Sequence, residues 1–241
     1  MEKNDIYRAE NDIMVGMEQI EPTFFQRYPL LKDLLGLAGF IVAVVLGTVF
    51  LNTFIYRSYN VVGSSMENTL HGDDRVIVNR AAVSWAHFLG QEYVPERGQI
   101  IVFLNEDEEK VAQYKEAGVE HPMTCSVPSN VKDQYIIKRV IAFPGERVTV
   151  KDGVMTVYND EHPDGFVYDT NWRVSETDGP KEHTSGEVDT TVPDGELFVS
   201  GDNREGSNSW DSRNGLGTIP YCRIIGPVML RLFPLDKMRT F

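Results

Sequence analysis

Basic residues are scarce in this sequence. Only 23 of its 241 residues are Lys or Arg, against 36 Asp or Glu, a formal net charge of −13. A surface of that sign repels polyphosphate, which excludes nucleic acid as a partner, and no zinc finger, Gly-x-Gly-x-x-Gly or phosphate-binding loop argues otherwise. Cysteine is scarcer still: Cys125 and Cys222 stand alone and far apart. That excludes a disulfide-dense scaffold, and with no local spacing to pair them the two are read as unpaired. The five histidines are scattered without metal-ligand spacing, so neither a metal nor another cofactor is expected.

One stretch lacks charge altogether, LLGLAGFIVAVVLGTVFLNTFIY, Leu34 to Tyr56. As an α-helix rising ~1.5 Å per residue it crosses the ~30 Å hydrocarbon core of a bilayer. A buried core helix would be shorter and would carry a polar stripe. A removable leader would sit closer to the start and end in an A-x-A site. A single retained transmembrane helix over 34–56 is therefore expected. Arg27 and Lys32 before it outweigh Arg57 after it, which assigns 1–33 to a cytoplasmic segment and 57–241 to the outside of the plasma membrane.

Beyond the span the chain is built for strands. RVIVNR (75–80), QIIVFL (99–104), YIIKRVIAF (135–143), RVTVKDGVMTVY (147–158) and ELFVSGDN (196–203) are β-branched or aromatic runs bounded by Gly, Pro, Asn and Asp. A Pro-Gly and an Asp-Gly turn bracket the alternating strand in FPGERVTVKDGVMTV. Two segments interrupt the pattern: an acidic insertion at about 105–132 with a short helical possibility, and a polar loop region at about 160–187. The expected fold class is mainly β, an antiparallel β-sheet domain anchored by one N-terminal transmembrane helix.

Three places carry chemistry. In VVGSSMENTL (61–70) two serines sit on a glycine corner, and a serine hydroxyl attacks only when a base takes its proton and donors hold the oxyanion. His71, with Asp73 and Asp74, is the nearest histidine base, although an exposed turn explains it as well. Lys138, set in the apolar run of 135–143, is the other base, because burial disfavours the ammonium form. On the period of two it shares a face with Ile136 and Val140. A solvated strand-edge lysine is the plainer reading. SGDNREGSNSWDSRNGLG (200–217) is dense in turn formers and reads equally as a rigid loop and as a site wall.

Taken in order, GSSMENTLHGDDRVIV, RGQIIVF (97–103), YIIKRVIAFPGE (135–146), GDNREGSNSWDSR (201–213) and GPVMLRLFPLDKM (226–238) resemble the bacterial type I signal peptidases. The resemblance runs from the span to the C-terminus, and the single span is similar to the Gram-positive members. It implies a membrane-bound serine endopeptidase, of the fold shared with SOS-repressor peptidases, that cuts signal peptides from exported preproteins after small residues. By position it implies Ser65 as nucleophile, Lys138 as general base, and Ser209 orienting the lysine amine, with Ser207 as a competitor because the loop is two residues longer than usual. Asp211 and Arg213 would brace the site. Gly201, Asp202, Asn203 and Arg204 would form its supporting turn, and Met66 would floor the pocket. Val62 and Ile136, flanking the two, would line it. Gly63 stands where some members carry a serine oxyanion donor, and Asn68 where proline is usual. Signal peptides and the lipid bilayer are the implied partners. A regulatory Ser-Lys autoprotease and an inactive peptide-binding β-domain are the competing readings, the first disfavoured by the span and the second by the presence of both residues. SWAHFLGQEY (84–93) reads either as an interfacial aromatic patch or as a surface loop.

Overall fold

The computed structural model describes residues 24–105, 134–168, 180 and 183–241. The helical possibility within 105–132, Cys125 and Trp172 lie outside them. The chain divides into two compact units between Val49 and Phe50.

The first unit holds a short helix α1 (Phe24–Arg27) and the long α2 (Pro29–Phe50), which has no buried residue. With the π-helical turn Leu51–Ile55 it makes one apolar run from Pro29 to Ile55, long enough by length and composition to cross a membrane. The helix thus starts before the expected Leu34, because helical geometry continues into polar flanks that hydropathy ignores. It also ends one residue before the expected limit, since Tyr56 already pairs in a strand.

The second unit is a β-structure. Its strands are β1 (Tyr56–Asn60), β2 (Arg75–Asn79), β3 (Ile100–Asn105), β4 (Gln134–Ala142), β5 (Arg147–Lys151), β6 (Val154–Tyr158), β7 (Phe166–Val167), β8 (Val188–Thr191), β9 (Glu196–Ser200), β10 (Ile219–Pro220), β11 (Ile224–Phe233) and β12 (Arg239–Thr240), with a short helix α3 (Ala81–Phe88) after β2. An eight-stranded sheet runs β1-β2-β11-β3-β4-β9-β10, with β12 beside β11, and a four-stranded sheet runs β7-β6-β5-β8. All the registered pairs are antiparallel.

Period-two alternation feeds two cores from one strand. On β3, Ile101 and Phe103 join Val140, Leu197 and Val199 on one face, while Ile100 and Val102 join Val61, Met66 and Leu70 on the other. A strand buried on both faces reads as an unbroken apolar run, which is what Ile100–Phe103 is. The β5–β6 hairpin turns through Asp152 and Gly153, at φ of 52° and 82°, the two positive values a type I′ turn needs. Its third core packs Val148, Val150, Met155 and Val157 against Phe198.

Strand β4 positions the site by changing partners midway. Gln134 to Arg139 pair with β3, whereas β9 begins pairing only at Arg139. The register with β9 covers Arg139, Val140 and Ala142 and stops short of Ile136 to Lys138. Cys222 is disulfide-bonded, which corrects the expectation of unpaired cysteines. Pairing of distant cysteines depends on how the fold brings Cα atoms together, and no local spacing reports that.

Candidate active site

The Gly-Ser-Ser-Met corner has little secondary structure of its own. Val61 N–H donates to Asp74 O, and the backbone then turns through Gly63, at φ +87°, a left-handed value that a side chain resists. Glu67 N donates to Ser64 O, and Thr69 N and Leu70 N to Met66 O, closing a tight turn. Met66, 1% exposed, plugs this turn into the core with Val61 and Leu70. It backs the groove rather than lining it.

Two serine carbonyls are held from the far end of the chain. Asn203 N–H donates to Ser65 O at 3.0 Å and its Nδ2 to Ser64 O at 3.1 Å. Gly201 makes this approach: a Cβ there would fall 2.3 Å from Ser65 O and 2.2 Å from Ser209 Oγ, closer than any side chain tolerates. Among the described residues nothing accepts a hydrogen bond from the Ser65 backbone N–H.

Lys138 meets Ser65. Its Nζ donates to Ser65 Oγ at 2.8 Å and to Ile137 O at 2.9 Å. The residue is only 4% exposed. Burial pushes its pKa down to about 8, with Arg213 adding to the effect and the charges of Asp211 and Asp202 opposing it. About one tenth of the amines are therefore neutral at pH 7, where an ordinary lysine at 10.5 would offer about three in ten thousand.

The loop after β9 braces this pair with buried charge. Asp211 Oδ2 accepts from Gly201 N, Ser200 Oγ and Arg213 Nη2, and Oδ1 from Arg213 N and Nε. Arg213 Nη1 donates onward to the carbonyls of Arg204 and Ser185. Asp202 takes a bidentate fork from Arg139 and a short hydrogen bond from Thr69 Oγ1. Burial alone would raise both carboxyls, but the arginines hold them below the usual carboxylate range. Arg204, fully buried, donates from Nε to Gly201 O at 2.6 Å.

Ser209 is buried beneath Gly201 and Ser207 is exposed, so only the former belongs to the site. Ser209 Oγ makes no hydrogen bond within ordinary limits of distance and angle, to Lys138 or elsewhere among the described residues, although its hydroxyl helps hold Asp211 low. Ile137 O is the group that holds the amine alongside Ser65. His71 is an exposed turn residue whose backbone N–H, not its ring, reaches Asp74.

A groove of about 270 Å³ opens at Ser65 and Lys138, lined by Tyr59, Val62, Tyr135, Ile136 and Trp210. Sequence reasoning reached Val62 and Ile136 but missed the aromatics. It also missed Arg139 and Thr69, whose link to Asp202 spans more than 60 positions and leaves no local signal.

Comparison with known proteins agrees in extent with this arrangement. The family model described as signal peptidase, peptidase S26, matches residues 33–233. Signal peptidase I S of Bacillus subtilis (strain 168) is 31% identical over 208 residues, covering 86% of this chain and 94% of its own. Signal peptidase I T of the same strain is 30% identical, covering 83% and 85%, and a signal peptidase I of Bacillus amyloliquefaciens is 31% identical, covering 83% and 87%. A crystal structure of a signal peptidase I from Enterococcus faecalis V583 aligns at a TM-score of 0.33 and 24% identity, over 56% of this chain and 96% of that one, a likeness too slight to add weight. The chain belongs to the signal peptidase family, peptidase S26, among its bacterial type I members.

Proposed function

We propose that the chain is the serine peptidase that its family membership implies, removing signal peptides from preproteins, with Ser65 as nucleophile and Lys138 as general base. The observation that carries this reading is the 2.8 Å contact between the hydroxyl of the partly buried Ser65 and the amine of Lys138, a residue only 4% exposed. When the amine is neutral the same contact reverses, Ser65 O–H donating to the Nζ lone pair while Ile137 O keeps the amine in place. Ser65 Oγ then attacks the scissile carbonyl as its proton passes to Lys138. The unpaired Ser65 N–H supports the developing oxyanion, and Gly63, lacking a side chain, adds no hydroxyl donor. Lys138 protonates the leaving amine and afterwards activates the water that frees the acyl-enzyme. Ser209, Asp211, Arg213, Gly201, Asp202, Asn203 and Arg204 position this pair without touching the reacting atoms.

Substrate shape is set by the groove. The edge from Ile136 to Lys138, which β9 does not reach, suits an extended peptide, which adds itself as a strand by main-chain hydrogen bonds. A groove of about 270 Å³ falls below the ~300–1,000 Å³ of sites for drug-sized ligands, and it admits a short segment of small residues, as an A-x-A site offers.

The apolar helix anchors the enzyme in the plasma membrane, residues before it in the cytoplasm and 57–241 outside, where signal peptides emerge. Trp85 and Phe88 on α3 are 63% and 79% exposed and stack at 5.7 Å, a pair suited to the lipid interface. In proteoliposomes, tryptophan fluorescence quenched by lipid-borne bromine, with that quenched component missing in W85A, would support that seat, and no difference between wild type and W85A would refute it.

The deciding experiment is cleavage of a membrane-presented preprotein with an A-x-A site by wild type, S65A and K138A. Cutting after the final alanine that vanishes in both variants is expected. No cleavage by folded wild type, or full activity in either variant, overturns the assignment.

A further inference from the structure

We infer that Trp210 is a specificity-determining residue: its indole caps the groove beside Ser65 and restricts the residue before the scissile bond to a small side chain. The inference rests on the peptidase reading above and extends it to the selectivity of the same site.

Trp210 is the bulkiest side chain lining the groove that Ser65 and Lys138 also line, beside Val62, Tyr135 and Ile136. It lies between two fully buried neighbours, Ser209 and Asp211, yet is itself 39% exposed. A large aromatic at that exposure between buried neighbours is displayed rather than packed away. Its backbone is held from both sides. Asn214 Nδ2 donates to Ser209 O at 2.8 Å, and Asp211 O accepts from Asn214 N and Leu216 N. Ser212 N donates to Val199 O on β9, tying the loop to the sheet. The indole therefore stands on a fixed frame, the condition for a side chain to exclude substrates by size.

The indole leans on Gly215, where a Cβ would lie 3.7 Å from Trp210 Nε1. Gly215 has φ +90°, a left-handed value. Among the described residues nothing accepts a hydrogen bond from the indole N–H, so no polar contact of the folded protein explains its placement. Removing the ring widens the groove that Ser65 and Lys138 also line, where the side chain preceding the scissile bond would sit.

The test compares cleavage of two membrane-presented preproteins, with Ala or Leu before the cut, by wild type, W210A and W210F. W210A should raise kcat/KM for the Leu substrate relative to the Ala substrate by about tenfold or more, the discrimination that one or two methylenes confer in an apolar pocket. W210F keeps a ring in place and should stay near the wild-type ratio. A merely structural role would lower both substrates alike and leave their ratio unchanged, and that result overturns the inference. A ratio that shifts equally in W210F and W210A also overturns it. If wild type cleaves neither substrate, the peptidase reading itself fails and takes this inference with it.

Discussion

Replacing Lys138 by Met should make the protein more stable at neutral pH while abolishing cleavage. Met fills nearly the same volume without a charge to bury. A lysine titrating near 8 when folded and near 10.5 when unfolded leaves the protonated fold about 3 kcal/mol less stable than an ordinary lysine would, at ~1.4 kcal/mol per pH unit of difference. The substitution forfeits the two hydrogen bonds at Nζ, about 1 kcal/mol each. The net gain at pH 7 is about 1 kcal/mol, or about 2–4 °C in Tm for a unit of this size. The sign with pH is fixed by linkage. Between 8 and 10.5 the unfolded chain holds a proton that the folded lysine has released, so wild type gains stability as pH rises through that window. The Met variant should therefore lead below pH 8 and fall behind by about pH 10. Paired thermal unfolding of the two detergent-solubilised chains, from pH 6.5 to 10, reads the difference while other titrations cancel. A gap that does not change with pH would mean that Lys138 titrates normally in the fold, and the neutral-base argument would collapse.

Activity should follow the same titration. With a neutral amine required, kcat/KM is expected to climb about tenfold per pH unit up to about 8 and level above it, and a flat profile from pH 6 to 9 would contradict Lys138 as base. G201A should lower kcat by about 100-fold or more, because the new methyl collides with Ser65 O and Ser209 Oγ and displaces the nucleophile; wild-type turnover would show that the pinch does not position Ser65. D202N leaves the buried Arg139 guanidinium without its counter-charge and should cost about 3–5 kcal/mol, about 6–20 °C in Tm, measured by calorimetry; a shift under 2 °C would refute a structural role for the pair.

The strands were legible where alternation and turn chemistry agreed. RVTVKDGVMTVY announced its hairpin because Asp152 and Gly153 are the residues that accept positive φ, and IIVF announced a doubly buried strand by its unbroken apolar run. Strand β1, YRSYN, was hidden because its side chains are mostly exposed and it comes directly after the apolar helix. Helix α3 was hidden too: its N-cap position holds Arg80 rather than Ser, Thr, Asp or Asn, and its exposed aromatics mask any apolar stripe. In the site, Ser65 and Lys138 could be named from motif order, which the resemblance supplied, and the spacing of the residues alone left His71 open. Motif order could not foresee that Met66 turns inward, or that Ile137 O rather than Ser209 would hold the amine, since both depend on where backbone atoms end up. The Asp202–Arg139–Thr69 network was illegible for a related reason. Each member looks like a surface residue until the fold buries it.

The hold that Asn203 keeps on the serine corner also fixes when the enzyme can come into being. Ser64 O is gripped from 139 positions downstream, Thr69 Oγ1 donates to a carboxylate 133 positions away, and Thr69 O is held by Arg231, 162 positions away. A nascent chain carries Ser65 early, close behind the apolar helix, yet Asn203 can hold that serine only after β9 has been synthesised. Fragments cut short before Asn203 would hold Ser65 and Lys138 without this bracing.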